Sequence, residues 1–119
     1  MAKVARLYAQ CIIANGGTTS TDFDVPEGIE SMSIHTPVLT GTLTLQAKAP
    51  VLQENDTPVW NTVNAFDLNA GGANIALDAI PASTCTVIPF SAAGQGPFRF
   101  LSSGAEAAER DIRVAFKEI

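Results

Sequence analysis

The sequence predicts an all-β protein: an antiparallel, jelly-roll-like β-sandwich of about eight strands in a single domain spanning residues 1–119. Three observations predict it. Short extended segments are separated by Gly, Pro, Asn and Asp at the spacing of sandwich strands. Several of those segments alternate apolar and polar residues with a period of two, so that one face is buried and the other is not. The chain is 119 residues long with 46% hydrophobic and only 16% charged residues, enough for one core burying roughly two thirds of the unfolded surface.

Taken in order, "VARLYAQCIIA" has mixed periodicity, but Asn15-Gly16-Gly17 ends it sharply and a Thr-rich segment follows, which favours a strand over a helix. Its Lys3 and Arg6 precede a short apolar stretch interrupted by Gln10, so it reads as a first strand rather than a secretory leader. "TTSTDFDV" runs into Pro26-Glu27-Gly28, a turn that proline initiates. "ESMSIHT" places Met32 and Ile34 on one face and Ser31, Ser33 and His35 on the other. "TGTLTLQAKA" has the clearest alternation, with Leu43, Leu45 and Ala47 inward and Thr42, Thr44 and Gln46 outward. "PVLQENDTP" is a polar, proline-bounded loop leading to the strand "VWNTV", and "NAFDLNAGGAN" reads as a long turn-rich connection. "IALDAI", "CTVIPF", "FRFLS" and "DIRVAF" supply the remaining strands, with one helical turn expected over "GAEAAER". In the last two strands, Phe98, Phe100, Ile112, Val114 and Phe116 point to the core, while Arg99, Arg113, Ala115 and Lys117 point away.

Composition excludes several functions. The net charge is −5 and the seven Lys and Arg are scattered, which argues against direct nucleic-acid binding. No run approaches the roughly 20 apolar residues of a membrane-spanning helix, and no membrane association is expected. His35 is the sole histidine, so neither a histidine-centred triad nor a histidine-rich metal site can be assembled. Asp22 and Asp24 share one strand face without further ligands nearby, and "ENDTP" has the character but not the spacing of a calcium loop. The glycine-rich "GQGPF" and "AGGAN" lack the context of a phosphate-binding loop, and Ser102-Ser103-Gly104 reads as a polar turn. Cys11 and Cys85 match neither a metal nor a redox motif and are expected to be buried reduced thiols, with a single long-loop disulfide as the alternative. Trp60 is expected to pack at the sandwich edge, and too few aromatics accompany it for a carbohydrate platform. With no nucleophile beside a base and no metal set, no enzymatic activity and no cofactor are expected.

Arg99 and Arg113 carry the binding expectation. If their strands are neighbours, the two arginines form a small basic stripe on a common outer face, suited to carboxylates on a partner. The alternative is internal pairing with Glu106, Glu109 or Asp111.

The stretches "GTLTLQAKA", "PVWNTV", "AIPAS", "IPF" and "GPFRFLSSGAEAAERDIRVAFK" resemble small structural proteins of tailed bacteriophages, over roughly residues 29–119. The shared pattern is a strand ending in Leu-Gln-Ala, a polar loop leading to Trp, an Ile-Pro turn, and a Gly-x-Phe-Arg-Phe strand whose Ser-Ser turn leads to the final strand. The resemblance implies a non-enzymatic virion component. The first form is a jelly-roll decoration (cement) protein on the capsid exterior, assembled in the bacterial host cytoplasm, homo-oligomeric and bound to the major capsid protein. The other is a neck or tail module of the kind that binds a receptor or glycan. The expected partner-binding residues are Arg99 and Arg113, from their strand positions, with the polar loop residues Gln53, Glu54, Asn55 and Asp56.

Overall fold

The computed structural model describes residues 7–49, 55, 57–67, 73–88 and 97–118, and every regular element among them is a strand. In chain order these are β1 (Leu7–Ile13), β2 (Ile29–His35), β3 (Leu43–Lys48), β4 (Trp60–Thr62), β5 (Asn64–Asp67), β6 (Ala73–Ala76), β7 (Cys85–Ile88), β8 (Phe98–Ser102) and β9 (Arg110–Glu118). A four-stranded sheet has the order β1-β9-β2-β7, a three-stranded sheet the order β4-β3-β8, and β5 pairs with β6. All pairings are antiparallel.

Two extended segments complete the sheets. Residues 18–25 run along the free edge of β8, where Ser20 N donates to Phe100 O at 2.9 Å and Phe23 and Phe98 exchange bonds of 2.8 Å. The same segment reaches β1, where Thr21 N donates to Ile12 O at 3.1 Å, and so links the two sheets along one side. Residues 77–80 line the other edge of β3, with Leu43 and Ile80 exchanging bonds of 2.9 Å. When residues 18–25 are counted as the second strand and the β5–β6 hairpin is set aside, one sheet holds the first, eighth, third and sixth strands. The other holds the second, seventh, fourth and fifth. That order is a jelly roll's: successive strands go to opposite sheets, except the fourth and fifth, which pair within one sheet.

The core lies between the sheets. Leu43, Leu45, Phe98 and Phe100 come from one side, and Cys11, Ile13, Met32, Ile34, Ile88, Ile112, Val114 and Phe116 from the other. Phe23 joins them: its ring centroid lies 5.6 Å from Phe98, 5.7 Å from Phe100 and 6.4 Å from Phe116. Each such side chain contributes about 1.5–3 kcal/mol by leaving water. Of the inward residues expected on the strands of Met32, Leu43, Phe98 and Ile112, all are buried except Ala47, which is partly buried against the core.

Three expectations are corrected. "NAFDLNAGGAN" is not merely a connection, because its two ends pair as β5 and β6 in the register Asn64↔Ala76 to Asp67↔Ala73. "GAEAAER" forms bends and no helical turn. Its backbone bonds elsewhere: Glu106 N donates to Gly17 O at 3.0 Å, and Gly16 N donates to Glu106 O at 2.7 Å. Of the two cysteines only Cys11 is buried; Cys85 is exposed, and both are free thiols. The turn at Pro26-Glu27-Gly28 forms as expected, with Gly28 at φ +81°, a conformation open to glycine at little cost.

Candidate partner-binding surface

The four-stranded sheet has one face in the core, and its other face carries a continuous set of side chains set by strand register. One row runs Tyr8, Ala115, Ser33, Val87 across β1, β9, β2 and β7. Tyr8 is 72% and Val87 63% exposed, while Ala115 and Ser33 between them are half-buried. Small residues in the middle and large apolar ones at the sides leave a trough. The next row is Gln10, Arg113, His35, Cys85. Leu7, Tyr8, Gln10, His35, Arg113 and Ala115 line an open depression of about 550 Å³ there. Large exposed apolar side chains beside an arginine are the composition of interface anchors rather than of ordinary solvated surface.

Arg113 is held at the foot of this depression. Its Nη2 lies 3.3 Å from Asp111 Oδ2, and Gln10 Nε2 donates to the same oxygen at 3.0 Å. Asp111 is thus the internal partner foreseen for one of the two arginines. The Arg113 side chain is still 68% exposed, so a pair this open contributes little to stability and leaves the guanidinium accessible.

Arg99 is elsewhere. β8 belongs to the three-stranded sheet and β9 to the four-stranded one, so Arg99 and Arg113 lie on opposite outer faces of the sandwich and make no common stripe. The two strands are consecutive in sequence, but jelly-roll order separates them. Arg99 Cζ sits 4.2 Å from the centroid of the Trp60 ring, and its Nε donates to Gln46 Oε1 at 2.8 Å. This cation–π stack half-buries Trp60 at the sheet edge and also buries Gln46, which alternation alone places in solvent. Asn55 is exposed in a turn. Gln53, Glu54 and Asp56 lie outside the described residues.

Glu106 is a buried group that sequence reasoning had counted only as a possible arginine partner. It accepts from Thr40 N at 2.8 Å, Gly41 N at 3.2 Å, Ser102 Oγ at 2.7 Å and Arg110 Nε at 2.9 Å. Burial by itself would raise its pKa; the Ser102 hydroxyl, the Thr40 amide, Arg110 and the Gly41 amide together outweigh that and hold it at about 2. The carboxylate therefore ties the β2–β3 loop to the β8–β9 loop. A Cβ on Gly41 would overlap Ser103 Oγ and press on Ser102 Oγ, so a larger residue there would force those hydroxyls to shift. The only sequence signal was Ser102 four residues before Glu106, inside a stretch with no apolar pattern.

The Cys11 thiol is pushed up to about 12 by burial and then by Asp111 and Asp22, so it stays protonated and inert. Asp22 and Asp24 are both exposed. Among the described residues, no group of three or more His, Cys, Asp or Glu is placed to hold a metal ion, and no helix is long and apolar enough to cross a membrane. No family model matches the chain, and neither a curated protein nor a solved structure matches it.

Proposed function

We propose that this protein is a non-enzymatic partner-binding module that docks through the outer face of its four-stranded sheet. The observation that carries the reading is the row Tyr8, Ala115, Ser33, Val87 beside Arg113: exposed apolar anchors around a trough with an accessible guanidinium. In its specific form, the module is a decoration protein of a tailed-bacteriophage capsid. Its partner is the major capsid protein, and it acts as a homo-oligomer on the virion exterior. The phage resemblance of residues 29–119 supports that form, as does a chain with few charged groups. Weak contacts repeated on a symmetric lattice add up to tight attachment, so no single interface needs high affinity.

The test is co-sedimentation of the purified protein with expanded, undecorated capsids of its phage and, separately, with unexpanded procapsids. Saturable binding to expanded shells alone is the expected result. Tyr8→Ala is expected to weaken that binding about tenfold, the loss of one aromatic anchor, whereas Arg99→Ala on the opposite face leaves it within about twofold. Absence of binding to either shell rejects the capsid assignment, and the neck or tail becomes the place to look. Equal sensitivity of the two variants rejects the choice of face.

A further inference from the structure

The row that crosses the depression ends in two side chains with metal-ligand chemistry, brought together by strand pairing from positions 50 residues apart. His35 on β2 is the direct cross-strand partner of Cys85 on β7, and His35 Nε2 lies 3.8 Å from Cys85 Sγ. Ser33 Oγ, two residues earlier on the same face of β2, is 3.0 Å from the same nitrogen. A sulfur and a hydroxyl oxygen thus both lie beside the same imidazole nitrogen. We propose that His35 and Cys85, with the Ser33 hydroxyl as a supporting donor, bind a thiophilic divalent cation of the zinc type.

The spacing fits that chemistry. Metal–sulfur and metal–nitrogen bonds of about 2.3 and 2.0–2.1 Å at a tetrahedral angle separate the two ligand atoms by about 3.6 Å. The observed separation is within a small side-chain rotation of that value. The backbone beneath is fixed, since β2 is paired on both sides, with β7 and with β9. One thiolate and one imidazole select a borderline-soft ion over magnesium or calcium, which require oxygen cages. On binding, the Cys85 thiol loses its proton to solvent and the sulfur lone pair enters the metal bond; water fills the remaining positions. On the other side of His35 its cross-strand partner on β9 is Arg113, whose positive charge opposes a bound cation. Asp111 offsets that charge at 3.3 Å. The inference is independent of the capsid reading.

The probe is Co²⁺ added to the full-length reduced protein, followed by its thiolate-to-metal charge-transfer absorption. A band saturating at one ion per chain and displaced by Zn²⁺ is expected, absent in Cys85→Ser and, in His35→Ala, saturating with an apparent affinity at least about tenfold weaker. Both residues are exposed, and thermal unfolding checks that each variant is folded. No band in the wild type, a band retained in Cys85→Ser and therefore arising from Cys11, or unchanged affinity in His35→Ala would each overturn the site.

Discussion

The two cysteines show how far environment divides chemically identical residues. Cys11 is fully buried on β1 with its thiol held at about 12, whereas Cys85 opens β7 in solvent. A thiol reagent such as DTNB is expected to modify one cysteine per native chain, the second only on unfolding, and none in native Cys85→Ser. Two thiols titrating at the same rate in the native protein would contradict the placement of Cys11. Phe23 is the corresponding residue for packing, since its ring touches Phe98 and Phe100 of one sheet and Phe116 of the other. Phe23→Ala removes contacts on both sides at once and is expected to cost about 3–5 kcal/mol. Chemical denaturation measures this, and a loss below about 1 kcal/mol would mean that the ring does not join the sheets.

At the scale of elements, the loops matter as much as the strands. Glu106 holds the β2–β3 and β8–β9 loops through two backbone amides, a hydroxyl and a guanidinium. Its carboxyl lies at about 2 in the folded chain against an ordinary 4.5. In the unfolded chain it therefore takes up a proton at a higher pH than in the folded one. The stabilisation is complete above about pH 4.5 and is lost as pH falls from there toward about 2, amounting to about 3 kcal/mol. Glu106→Gln is expected to destabilise the protein by a similar amount at neutral pH, since it leaves Arg110 without its partner. It also flattens the acid dependence in that window. A variant with the wild-type slope between pH 4.5 and 2 would show that other carboxyls govern acid unfolding. Little of this was legible in advance: Glu106 sits among Ala and Gly, in a stretch expected to form a helical turn, and was foreseen only as a candidate arginine partner.

For the whole molecule, jelly-roll order joins distant parts of the chain. β1 pairs with β9 from Leu7↔Phe116 to Ile13↔Arg110, so a central pairing waits for nearly the full chain length. Such non-local pairing predicts refolding in milliseconds to seconds rather than microseconds, which stopped-flow fluorescence of Trp60 can follow; a microsecond phase of full amplitude would be inconsistent with it. Strand class, most strand positions and the inward residues, among them Met32, Ile34, Leu43, Leu45, Phe98, Phe100, Ile112 and Val114, can be read from the order of residues alone. Alternation with a period of two is a local property, readable from a few residues. Which sheet each strand joins is set by the folded chain as a whole. That choice sets Arg99 and Arg113 on opposite faces, lines up Tyr8 with Val87, and brings His35 to Cys85. The physical reason is that pairing partners are selected by the closure of one shared core, in which every strand competes for an edge, and no local run of residues records the outcome.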